Sequence, residues 1–98
     1  MAIEIVVFQL KPELTANDFQ TAVDETAALL ETQVGFISRT VGRSEGGEWL
    51  DILYWDSVED AKKAASVFQT EAAGQRFSSY LDLQKIQVYY LETNTPPH

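Results

Sequence analysis

Runs rich in β-branched and aromatic residues occupy four stretches of the chain, and apolar positions recur at helical spacing in two others. From Ala2 to Leu10, Ile3, Ile5 and Val7 fall on one side of an extended chain, and Glu4, Val6, Phe8 and Leu10 fall on the other. Such a segment predicts a strand buried on both faces, and Lys11-Pro12 ends it because proline has no N–H for a ladder. Thr15 followed by Asp18 resembles a capping box. Phe19, Ala22, Val23, Thr26, Leu29 and Leu30 then make the apolar stripe of a helix over about 16–33, with Asp24, Glu25 and Glu31 facing water. After Gly35, the run Phe36 to Arg43 predicts a second strand; Ser44-Glu45-Gly46-Gly47 is a turn, and Trp49 to Trp55 completes a hairpin. Ser57 with Asp60 repeats the cap before a helix over about 58–70, striped by Val58, Ala61, Ala65 and Phe68. The stretch 71–75, with its Ala-Ala-Gly, is expected to break that helix. A short segment carrying Phe77, Tyr80 and Leu81 leads to a last strand over 84–91.

The central strand presents two unlike rows. Leu50, Ile52 and Tyr54 are apolar enough to lie under helices, whereas Trp49, Asp51, Leu53 and Trp55 mix two indoles with a carboxylate. The order β-α-β-β-α-β gives an α+β class and a ferredoxin-like plan, a four-stranded antiparallel sheet with two helices on one face. One domain over 1–93 accounts for it, followed by a tail over 94–98 expected to be flexible. The other sheet face is then expected to carry Phe8, Leu10, Trp49, Leu53, Trp55, Tyr89 and Leu91. A monomer rarely exposes so large an apolar patch, so a homodimer through the sheet faces is expected.

Gly35-Phe36-Ile37-Ser38-Arg39, the hairpin, and Trp49 to Ser57 with Asp60-Ala61 behind it resemble the dimeric α+β barrel proteins. Within them the resemblance is to the small antibiotic-biosynthesis-monooxygenase-like group, and it spans Ile3 to about Glu92. It implies the barrel and the dimer, and allows cofactor-independent oxygenation of a small aromatic or polyketide-like compound. That superfamily also holds haem-degrading enzymes, isomerases and members of no known function.

Composition narrows the chemistry. Ninety-eight residues with 45% hydrophobic and 22% charged side chains fit one globular domain. Seven basic against fifteen acidic residues give a charge of −8, which argues against nucleic acid and anionic lipid as partners. Without cysteine there is no disulfide, thiol nucleophile or thiolate metal site. No basic leader precedes an apolar run and no stretch approaches a membrane span, so a cytoplasmic protein is expected. The single histidine is His98 in the tail, which leaves the domain without a haem ligand or a Ser-His-Asp arrangement. Gly46-Gly47 lies between two strands, not in a phosphate loop, and the acidic pairs Asp24-Glu25 and Glu59-Asp60 are solvated helix faces. Neither a cofactor nor a metal is therefore expected.

Two readings of the mixed row remain open. Trp49, Asp51 and Trp55, with Glu4, Phe8, Lys85, Gln87 and Tyr89, could line a pocket between the sheet and a partner copy; they could equally be interface packing, which also favours Trp and Tyr. In the first reading Asp51 or Glu4 is the base, with a pKa raised by burial, and Trp49, Trp55, Tyr89 and Phe8 are the walls. In the second the chain is a non-enzymatic binding or interaction module. Arg39 either pairs with Asp51 or anchors a ligand. Loop parity decides its face, an odd hairpin loop setting Arg39 opposite Leu53, beside Asp51.

Overall fold

A computed structural model describes residues 1–95. Part of the expected flexible tail, Pro96 to His98, lies outside the described residues. The elements are β1 (Ala2–Phe8), α1 (Ala16–Glu31), β2 (Phe36–Arg43), β3 (Trp49–Trp55), α2 (Val58–Thr70), α3 (Ala72–Ser79), a 3-10 turn (Leu83–Lys85) and β4 (Gln87–Glu92). All strand pairs are antiparallel, in the order β2-β3-β1-β4.

Local chemistry sets the boundaries. At α1 the Asp18 backbone N–H donates to the Thr15 hydroxyl, and the Thr15 N–H donates to the Asp18 carboxylate, each at 3.1 Å. Ser57 caps α2 by accepting from the Asp60 N–H at 3.0 Å. α1 ends at Glu31 with Thr32 as its cap, earlier than expected, and Gly35 turns the chain into β2 with φ of +82°, a left-handed value that a side chain resists; a Cβ there would also collide with Asp60.

Two further boundaries differ from expectation. The stretch 71–75 does not simply break the helix: only Glu71 is extended, and a third helix starts behind it. Gly74 allows the bend, since a Cβ would run into the backbone carbonyl of Phe68. The last strand begins at Gln87, because Asp82 caps a 3-10 turn first.

Register fixes the faces. Arg39, Leu53, Glu4 and Tyr90 form one row across all four strands. Val41, Asp51, Val6 and Val88 form the next. These rows lie under the helices, so the expected assignment of the two rows of β3 is reversed. Asp51, Leu53 and Trp55 are buried, as is Phe8, whereas Leu50, Ile52 and Tyr54 are only half-buried on the open side. Ile3, Ile5 and Val7, also half-buried, extend that open side, with Tyr89 50% and Leu91 45% exposed beside them. Both rows are apolar enough to be buried; the carboxylate row goes inside because its charges find partners there.

The helix-side core falls into two parts. Trp55, Ala2, Leu30, Leu53, Ala61 and Ala64 make one, and Phe8, Phe19, Ala22, Phe77 and Leu81 make the other. In the second, Phe8 meets Phe19 edge-on at 5.6 Å between ring centroids.

Candidate functional site

Between the two core clusters lies a cavity of about 290 Å³. Its floor is the sheet, with Glu4, Val6, Asp51, Leu53 and Trp55; Ala64, Ala65 and Phe68 of α2 and Phe77 of α3 roof it. The space has a simple origin in the sequence. Above Glu4, α2 turns alanines toward the sheet where a close-packed core would need branched or aromatic side chains. At β4 the roof ends: Val88 sits on the helix-side row opposite Val6, yet it is 46% exposed. The cavity opens along that edge.

Glu4 is the chemically distinctive group. It is 9% exposed, and one carboxylate oxygen accepts a hydrogen bond from the Trp55 indole N–H at 3.1 Å. Burial raises its pKa from the usual 4.5 to about 7. The indole hydrogen bond opposes this rise, the Asp51 charge adds to it, and the Arg39 charge opposes it. Tyr90, directly opposite Glu4 on β4, also lines the cavity. Its phenol is raised above the ordinary value, first by burial and then by Glu4. The Lys62 ammonium stands 5.4 Å from the centre of the Tyr90 ring.

Asp51 reaches the cavity but is committed elsewhere. Arg39 donates to its two oxygens at 2.9 and 2.6 Å, with both side chains under a tenth exposed. The same guanidinium donates to the Thr26 hydroxyl at 2.8 Å and to the Val23 carbonyl at 3.2 Å, and it lies 5.3 Å from the Phe77 ring centre. Five residues, Ser44 to Glu48, separate the paired Arg43 and Trp49, so the loop is odd and Arg39 falls opposite Leu53. The structure therefore pairs Arg39 with Asp51 and leaves it little capacity to anchor a ligand.

The other expected wall residues scatter. Trp55 lines the cavity, whereas Trp49 packs edge-on against Phe19 at 5.0 Å in the second core cluster. Phe8 is wholly buried in that cluster. Tyr89 faces the open side of the sheet, opposite Ile5. Glu4, Asp51 and the Trp55 indole thus come together beneath the helices of a single chain, not on the sheet face where a pocket against a partner copy is expected. Tyr90 was missed because a register error of one residue on β4 exchanges it for Tyr89.

A larger concavity, of about 570 Å³, runs between α1 and the β2 edge past Phe19, Val23, Phe36, Ile37 and Trp49. Its charged lining groups are Glu31 and the already paired Arg39. Glu4 and Tyr90, the two groups whose ionisation burial disfavours, line the smaller cavity. Among the described residues, no group of three or more His, Cys, Asp or Glu could hold a metal ion. No helix there is long and apolar enough to cross a membrane.

Solved structures share this architecture along nearly the whole chain. SnoaB from Streptomyces nogalater, a cofactor-independent oxygenase, matches with a TM-score of 0.77 at 13% identity, covering 97% of this chain and 94% of its own. A candidate antibiotic biosynthesis monooxygenase from Bordetella bronchiseptica matches with a TM-score of 0.78 at 16% identity, over 96% and 97% of the two chains. The chain has the fold of the antibiotic-biosynthesis-monooxygenase-like proteins. At3g17210 from Arabidopsis thaliana has that fold too, with a TM-score of 0.75 at 12% identity over the full length of both chains. No protein-family model matches the sequence. No curated protein matches it either.

Proposed function

We propose that the cavity binds a small, neutral aromatic compound carrying an acidic hydroxyl or C–H group, and that Glu4 takes its proton so that the substrate reacts with dioxygen without a cofactor. The observation that carries this reading is a buried carboxyl group with no cationic partner among the described residues, Glu4, on the floor of a largely apolar cavity where the other carboxylate, Asp51, is already paired with Arg39; burial raises the Glu4 pKa to about 7. A base is most effective when its pKa lies near the working pH. The fold shared with SnoaB, a cofactor-independent oxygenase, supports the reaction class.

The cavity narrows the substrate. Its roughly 290 Å³ is at the lower end of small-molecule sites, which occupy about 300–1,000 Å³, so one or two rings suit it better than a long polyketide. A carboxylate on the ligand would meet Glu4, while Arg39 is already spent on Asp51, Thr26 and Val23. With a ring CH₂ beside a phenol or ketone as the reacting group, Glu4 removes one C–H proton. The carbanion passes an electron to O₂, and the radical pair joins as a peroxide anion. Glu4 returns its proton to the distal oxygen to give the hydroperoxide, then takes the second C–H proton as the O–O bond breaks, and that proton leaves with the departing hydroxide as water. CH₂ and O₂ have then become C=O and H₂O.

The same reading has a ferredoxin-like, dimeric α+β barrel arrangement, in which a second copy covers the row Ile3, Ile5, Val7, Leu50, Ile52 and Tyr54. A continuous half-exposed apolar face of this kind is a typical protein contact surface. The test is a panel of naphthols, hydroquinones and 2-tetralones, scored for a rise in melting temperature and for oxygen uptake. Glu4→Gln should still bind the compound that stabilises the wild type, and should lose oxygen uptake by roughly 10²- to 10⁴-fold. Oxygen uptake by Glu4→Gln at the wild-type rate overturns the mechanism. Binding with no uptake by the wild type assigns a binding module instead.

A further inference from the structure

Resting on the reading of Glu4 as the cavity's base, we propose that Arg39 and Asp51 are positioning residues that act on it as opposed charges. Asp51 holds the Glu4 proton on, Arg39 draws it off, and their ion pair sets the balance.

The geometry comes from the strand register. Glu4 is opposite Leu53, so Asp51, two residues earlier on β3, is its diagonal neighbour on the same face, at roughly 7–8 Å. Arg39 is opposite Leu53 on the far side, two strand spacings from Glu4, or about 10 Å. The nearer charge is the negative one, and both lie inside the protein, where water screens them weakly. The pair is held from several directions. Arg39 is bound to Asp51 on β3 and to Val23 and Thr26 on α1, and it stacks on Phe77 of α3. Neither charge can turn away to be solvated.

The remaining groups facing Glu4 are few. Tyr90 of β4 is a neutral phenol at neutral pH, and Lys62 of α2 lies beyond its ring. Trp55 of β3 contributes an indole N–H, and α1 and α3 bring to this region the Val23 carbonyl, the Thr26 hydroxyl and the Phe77 ring that hold Arg39. A unit charge at 7–8 Å in a medium of effective dielectric near 20 moves a neighbouring acid's midpoint by on the order of one pH unit. Removing the Asp51 charge should therefore lower the Glu4 midpoint, and removing the Arg39 charge as well should raise it part of the way back.

Trp55 provides the readout, because its indole N–H is bonded to the titrating carboxyl. The N–H resonance of this indole, distinguished from that of Trp49 by a Trp49→Phe variant, is followed against pH in wild type, Asp51→Asn and the double variant Arg39→Gln/Asp51→Asn. Glu4→Gln should abolish the transition, which assigns it. The expected midpoint falls by about one unit in Asp51→Asn and lies between that value and the wild type in the double variant. Comparing those two variants isolates the Arg39 charge without leaving a lone buried carboxylate, so the test survives if Arg39→Gln alone fails to fold. A midpoint in Asp51→Asn that is unchanged or higher overturns the proposal, as does a double variant at or below Asp51→Asn. A merely structural pair predicts no such ordered displacement. The measurement needs neither ligand nor oxygen: shifted midpoints without oxygen uptake defeat the proposed reaction alone, and uptake with fixed midpoints defeats this inference alone.

Discussion

Replacing Glu4 by glutamine should make the protein more stable above neutral pH and leave it nearly unchanged in acid. Below about pH 4.5 the folded and unfolded chains both hold the Glu4 proton, and the fold bears no charge penalty there. Between pH 4.5 and about 7 the unfolded carboxyl ionises while the folded one stays protonated, so stability is lost as the pH rises through this window. Above about pH 7 the folded carboxyl is charged as well, and the loss stops growing. A displacement from 4.5 to about 7, at about 1.4 kcal/mol per pH unit, amounts to roughly 3 kcal/mol. Glutamine keeps a carbonyl for the Trp55 indole N–H and never ionises. Urea unfolding of both proteins, at one fixed protein concentration and in steps from about pH 4 to about pH 8.5, gives the difference in stability directly. Other carboxylates contribute equally to both curves and cancel. A wild-type-minus-variant difference that stays flat from pH 4.5 to 8 would refute the assignment of Glu4 as a buried, raised acid.

Two further outcomes follow from packing. Gly74→Ala should cost about 1–3 kcal/mol, measured by the shift of the urea midpoint, because the new methyl group meets the Phe68 backbone carbonyl and not a side chain that can swing aside. Ile52→Lys, at the centre of the open apolar row, should give a folded monomer by light scattering and analytical ultracentrifugation while retaining the Trp55 signal. An unaltered larger species would show that this face is not where copies meet.

Most of the architecture could be read from the sequence because local signals agreed with one another. Thr15 and Ser57 mark both long helices, each with an aspartate three residues on, and the strands stand out as runs of β-branched and aromatic residues between turn and cap signals. Which side of the sheet faces the helices was not readable. Leu50, Ile52 and Tyr54 form the more hydrophobic row, and the rule that oily rows go inside assigns them to the core. What reverses the rule is long-range: Asp51 is paired with an arginine twelve positions away, and Glu4 accepts a hydrogen bond from an indole fifty-one positions away. Periodicity carries no record of such pairings. Asp51 and Glu4 were nonetheless singled out as the candidate acids, and both reach the cavity, since a carboxylate inside an apolar strand needs some special environment on either face. The site residue lost was Tyr90. It differs from Tyr89 only in register, which a Tyr-Tyr pair in an edge strand cannot specify. The third helix escaped notice because Gly74 has a steric role, as a point of close approach, that looks like a breaker in one dimension.

Since successive side chains of β1 and β3 point to opposite sides, the residues that would handle a ligand and those that would greet another molecule of the protein are interleaved in sequence yet separated by a sheet's thickness. The edge beside Val88 is on the helix side, so in the proposed dimer it would stay clear while the opposite surface is covered. Under that proposal, changes at Glu4 and Val6 would retune what enters without renegotiating assembly, and changes at Ile3, Ile5 and Val7 would do the reverse.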